Sequence, residues 1–170
     1  MKQLLFLTVL FISFAASGQL DKSKRPSPPA LAKQTTSSGV TITIDYSQPG
    51  VKGRTIGKDL EPIDGKVWRT GANEATIFEI NKNVKVEGKA LAAGKYGLFT
   101  IVNGDEWTII FNKTWNQTGA FDYKAADDVL RVKVKAGKAN PFSERMTFVI
   151  NKSGKISLMW GDRQVDFTVK

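Results

Sequence analysis

Val67-Trp68-Arg69-Thr70-Gly71-Ala72-Asn73-Glu74 is the densest run of versatile side chains in the sequence, with a guanidinium, an amide and a carboxylate following an aromatic ring. A guanidinium grips carboxylates through a planar fork of donors, and an amide both donates and accepts. The set suits a sugar or carboxylate ligand. It equally suits an internal task, with Arg69 paired to Glu74 and Asn73 satisfying loop backbone groups that would otherwise be buried unpaired. A second group, Asn112, Trp115, Asn116, Gln117, Phe121 and Tyr123, sets rings beside amides. Rings stack on the C–H faces of sugars while amides read hydroxyls, so one expectation is a carbohydrate site. The other is a hydrophobic plug at an open end of the fold. The candidate ligand-binding residues are therefore Arg69, Asn73, Glu74, Trp68, Trp115, Asn112 and Tyr123.

The inventory excludes more chemistry than it offers. With no His and no Cys, no serine triad, thiol nucleophile, or imidazole or thiolate metal site can be built. The chain also lacks Ser-x-x-Lys, a Gly-Lys-Ser/Thr phosphate loop and Gly-x-Gly-x-x-Gly, so nucleotide chemistry has no support. Carboxylate chemistry is what is left, as an oxygen-ligand cation site or a paired acid and base. The adjacent acidic pairs, Asp105-Glu106 and Asp127-Asp128, fall at a hairpin tip and a strand entry and read as solvated turns or caps. Neither a catalytic residue, a metal nor a cofactor is assigned. The enzyme alternative is a carboxylate-dependent hydrolase or lyase in which Glu74 acts and Arg69 stabilises charge.

The elements that must position these groups are strands. Val40, Ile42, Ile44 and Tyr46 alternate with polar residues, and Leu130, Val132 and Val134 alternate with Arg131, Lys133 and Lys135, giving one apolar and one cationic face. The same period recurs in Met146–Ile150, Ile156–Trp160 and Val165–Val169. Asn103-Gly104 between Tyr96–Val102 and Glu106–Asn112 predicts a hairpin with a type I′ turn. Glu87-Gly88, Ser153-Gly154 and Gly161-Asp162 predict further tight reversals. About nine strands without a long amphipathic helix predict an all-β fold, an antiparallel two-sheet β-sandwich of jelly-roll or Ig-like type, with a barrel as the alternative. Segments 47–74 and 113–128 do not alternate, and loops of that length are often functional.

The chain begins with Lys2, an apolar run from Leu4 to Phe14 and the small residues Ala16-Ser17-Gly18. This pattern predicts a signal peptide over 1–18, cleaved before Gln19. The apolar run is too short for a membrane-spanning helix, which needs roughly 20 residues. Residues 19–38, with Pro26, Pro28 and Pro29, predict an extended Pro/Ser-rich arm leading into a single domain over 39–170. The formal charge of +9 falls to +8 once Lys2 is removed with the signal. Export and the scattering of the lysines argue against nucleic acid as a partner and favour a periplasmic or secreted protein of a Gram-negative bacterium, the charge serving solubility or contact with anionic glycans.

Arg25-Pro26-Ser27-Pro28-Pro29, Thr43-Ile44-Asp45-Tyr46-Ser47, Val51-Lys52-Gly53-Arg54, Val67-Trp68-Arg69-Thr70-Gly71-Ala72-Asn73-Glu74, Tyr96-Gly97-Leu98-Phe99-Thr100, Trp107-Thr108-Ile109-Ile110 and Asp128-Val129-Leu130-Arg131-Val132 resemble the exported bacterial domain of unknown function 2911 family. The resemblance spans nearly the whole mature chain and is most specific from Trp68 to Glu74. It implies an exported globular domain whose signature places Arg69, Asn73 and Glu74 in a loop, and it implies no activity. The leading expectation is a non-catalytic exported domain that binds a glycan, peptide or envelope component through loops 47–74 and 113–128. Besides the enzyme, a structural accessory domain pairing its edge strands with a partner chain is an alternative.

Overall fold

A computed structural model describes residues 21–170, and the expected signal peptide lies outside them. The chain is all-β apart from two single turns of 3-10 helix at Lys22–Lys24 and Ala125–Asp127. The strands are β1 (Pro29–Thr35), β2 (Thr41–Ser47), β3 (Val67–Trp68), β4 (Thr76–Ile80), β5 (Val84–Val86), β6 (Lys89–Leu91), β7 (Gly94–Asn103), β8 (Glu106–Asn112), β9 (Asp128–Ile150) and β10 (Lys155–Thr168). One antiparallel sheet runs β1-β2-β4-β7-β8-β9-β10, with β3 also on β7 and a small β5-β6 hairpin apart. This sheet curls into a half-barrel. The all-β, antiparallel part of the expectation is met, with pairing that passes from strand to strand between β1 and β10.

The curl comes from β9. Its first part pairs with β8 through Asp128–Lys135, and its second part pairs with β10 from Ala136 to Ile150. Within the part paired with β10, β9 carries extra residues on both sides of Ser143, which faces Gly161, as bulges that let a strand turn a corner. The two short periodic runs expected on either side of that corner are thus one strand, and the expected reversal at Gly161-Asp162 lies inside the continuous β10, opposite the bulged stretch of β9. After the corner β9 meets the chain following β2. Gly50 bridges Arg145, Met146 N–H donates to the Pro49 carbonyl at 3.0 Å and Val51 N–H to Glu144 at 2.9 Å. Tyr46 Oη accepts from Phe148 N–H at 3.1 Å, and Gln48 Nε2 donates to the Met146 carbonyl at 3.1 Å. This seam closes the curl.

Period-two alternation sorts the side chains onto two faces. The inner face buries Trp68, Trp107, Trp160, Phe78, Phe111 and Phe167 with the aliphatic residues of β2, β4 and β10. Each such side chain contributes about 1.5–3 kcal/mol on burial. The interior is filled with side chains. On the outer face Ala75, Phe99 and Ile110 form a small second cluster. The cationic side of β9 is partly neutralised, with Arg131 on Asp128 at 2.6 Å and Lys133 on Glu106 at 2.8 Å.

Two further details depart from the sequence expectation. Asn103 pairs with Glu106, so the β7–β8 turn is Gly104-Asp105, with Gly104 at φ 63°. That is the pattern of a type II′ turn, one residue later than the expected type I′. Residues 29–35 of the expected arm form β1, in register with β2 from Pro29↔Ser47 to Thr35↔Thr41.

Candidate functional site

Asn73 and Glu74 are held at the start of β4 by a tight loop. Trp68 Nε1 donates to the Gly71 carbonyl at 3.0 Å, Thr76 Oγ1 donates to the Thr70 carbonyl at 2.8 Å, and Thr70 and Asn73 take left-handed backbone angles of 50° and 57°. Trp68 is buried in the core against Trp107, with ring centroids 6.4 Å apart. It shapes the loop from beneath.

The polar residues of this loop do not pair with each other. Both Glu74 oxygens accept from Arg25 Nη1 at 2.9 Å, and Lys22 Nζ lies 3.3 Å away. Asn73 Nδ2 donates to the Ser27 carbonyl at 3.0 Å. Thus the N-terminal segment 21–28 is strapped across the loop, a partner the sequence pattern did not reveal. The Arg25 hydrogen bonds hold the Glu74 carboxyl down at about 2. A group so placed stays ionised, and so cannot donate a proton at neutral pH.

Arg69 is left over. None of the ion pairs among the described residues involves it, and its Nε is buried with no hydrogen-bond partner. Two adjoining open cavities lie between the strap and the two loops, with Arg25 and Glu74 in the wall of both. One, of about 520 Å³, is lined by Arg25, Pro26, Arg69, Asn73, Glu74, Thr118 and Phe121. The other, of about 200 Å³, lies over the outer face of β2 and β4 and includes Lys22, Asp45, Glu74, Trp115 and Gln117. Trp115 is 37 % exposed, with Lys95 Nζ 5.4 Å from the ring centroid, and Phe121 is 86 % exposed. Arg69, Asn73 and Glu74 therefore converge in one cavity, and Trp115 joins through its neighbour.

The other two candidates serve the fold. Asn112 is fully buried, donates to the Lys124 carbonyl and to Asp128 Oδ1, and accepts from Thr114 N–H. It ties both ends of loop 113–128 together. Tyr123 packs on Phe99 at 5.0 Å and donates to Asp128 Oδ2 at 2.7 Å, while Arg131 donates to its oxygen. Burial, chiefly, pushes its hydroxyl up to about 12. Tyr123 lines neither cavity. Arg25 and Lys22 are site residues absent from the sequence candidates; Arg25 opens the Arg25–Pro29 motif of the family resemblance, while Lys22 is one cation in a segment read as an arm.

A small curled antiparallel domain with a filled interior and a strapped loop cleft is the class that fold and geometry define. The chain belongs to the family described as Protein of unknown function (DUF2911), whose model matches residues 27–169. Neither a curated protein nor a solved structure matches it. No helix among the described residues is long and apolar enough to cross a membrane.

Proposed function

We propose that this is an exported, non-catalytic binding domain that takes a glycan, peptide or envelope component in the cleft between segment 21–28, the 69–75 loop and the 115–121 loop. The observation that carries the reading is Arg69, a guanidinium without a carboxylate partner among the described residues, in the wall of a cleft of about 520 Å³. That volume lies within the roughly 300–1,000 Å³ typical of ligand sites. Exposed rings at Phe121 and Trp115 add flat apolar contact area near the charge. Rings left in water at the rim of a cleft are candidate anchors. Export rests on the sequence pattern of residues 1–18.

The test is retention of purified protein by cell-envelope polysaccharide and peptide fractions, alongside a glycan array. Wild-type protein is expected to bind at least one class, and the double variant Arg69→Ala, Trp115→Ala is expected to lose about tenfold or more in affinity while keeping its circular dichroism spectrum. Retention unchanged in that variant would remove the cleft from the account.

A further inference from the structure

Resting on that reading, the geometry points to a carboxylate-bearing saccharide, a uronic-acid type of sugar, as the ligand of the larger cavity. Charge is the first argument. Arg25, Arg69 and Glu74 are the charged groups in its wall, and Glu74 is already engaged by Arg25 and Lys22. Arg69 is in no ion pair among the described residues, and its Nε has no hydrogen-bond partner there. An ionic donor without an acceptor gains most from an incoming anion, and a planar fork matches a carboxylate with two parallel bonds.

Space is the second argument. Gly119 stands between the two groups, since a Cβ there would lie 3.6 Å from Arg69 Nη1 and 3.1 Å from Phe121 Cε2. The missing side chain leaves the guanidinium and the ring flanking one common spot. A sugar acid carries both features such a spot reads, a charged group at one carbon and a C–H face beside it.

Backbone satisfaction is the third argument, and it separates sugar from peptide. An extended peptide binds by adding a strand to free N–H and C=O groups. Here they are already used: Ala72 N–H donates to Ser47, Ala75 N–H to Gln117 and Thr76 N–H to Arg69. Glu74 also bridges Thr118. The cleft offers side chains and a ring, not a strand edge.

The experiment is titration calorimetry of the full mature chain with oligogalacturonate, with the neutral oligogalactose of the same length, with oligoglutamate and with inorganic phosphate. Oligogalacturonate is expected to bind at least tenfold more tightly than the neutral sugar, and the difference should shrink as salt is raised. Arg69→Lys keeps the charge but loses the fork, and is expected to weaken acid-sugar binding about tenfold or more. Phe121→Ala, at a side chain outside the core, is expected to weaken both sugars and leave the melting temperature unchanged. Equal affinity for the acidic and neutral sugars would overturn the carboxylate assignment and leave the binding-domain reading in place. Oligoglutamate or phosphate binding as well as the uronate would overturn the saccharide assignment. Binding of none of the four would overturn this inference, while envelope retention that depends on Arg69 would still uphold the broader reading.

Discussion

Glu74 shows how a side chain that looks available in sequence is spent in the fold. Its carboxyl, ordinarily near 4.5, is lowered to about 2 by Arg25 first. A carboxyl lowered on folding contributes stability that is complete above its unfolded value and is lost as pH falls through the folded one. The window here runs from about pH 4.5 down to about 2. Since Glu74 is nearly half exposed, water screens the pair and its worth is about 0.2–1 kcal/mol. Arg25→Ala is therefore expected to lower stability by that amount at pH 7, and the gap from wild type should close near pH 2. Denaturant melts at both pH values check this, and a gap that persists at pH 2 would assign the loss to packing. The residue types of the cleft were legible in the sequence, because Arg69, Asn73 and Glu74 are clustered in one loop. Their partners were not, because Arg25 and Ser27 lie 49 and 46 residues from Glu74 and Asn73, and composition carries no information about such pairing. Asn112 and Tyr123 misled for a related reason: an amide that fastens a loop and a ring that covers Phe99 are the same residue types that read a sugar.

Strand periodicity survived folding almost intact, since alternation depends only on one face being buried. What it could not show was continuity. Leu130–Val134 and Met146–Ile150 look like two strands because the bulged stretch between them breaks the alternation, and only the pairing of Ala136 with Val165 and Ser143 with Gly161 joins them. Turns are a test of the same point. Gly104 and Gly154 both take positive φ, yet a Cβ at Gly104 meets nothing while one at Gly154 would overlap the Val169 carbonyl. Gly104→Ala is expected to cost about 1–2 kcal/mol, the price of a left-handed residue alone. Gly154→Ala adds a backbone overlap that no rotamer can relieve and is expected to cost about 2–5 kcal/mol. Equilibrium unfolding of the two variants tests the ordering, and equal losses would mean that the C-terminal strand shifts freely.

At the scale of the whole molecule the structure is a curl with one closure, the seam where Tyr46 and Gln48 meet Met146 and Phe148. Its hydrogen bonds join residues about a hundred positions apart, 102 for Tyr46 and Phe148 and 98 for Gln48 and Met146. Hairpins such as β7–β8 join neighbours and form early, whereas ordering a loop of that length brings no reward until both ends arrive. Closure is therefore expected late in folding, after the barrier. Tyr46→Phe leaves the buried Phe148 N–H without an acceptor, a loss of about 1–3 kcal/mol. On that expectation the loss appears almost wholly as faster unfolding, with the refolding rate nearly unchanged in stopped-flow chevrons. A matching fall in the refolding rate would place the seam in the nucleus instead. On that expectation the seam is a latch, one that sets how long the folded protein lasts more than how fast it is made.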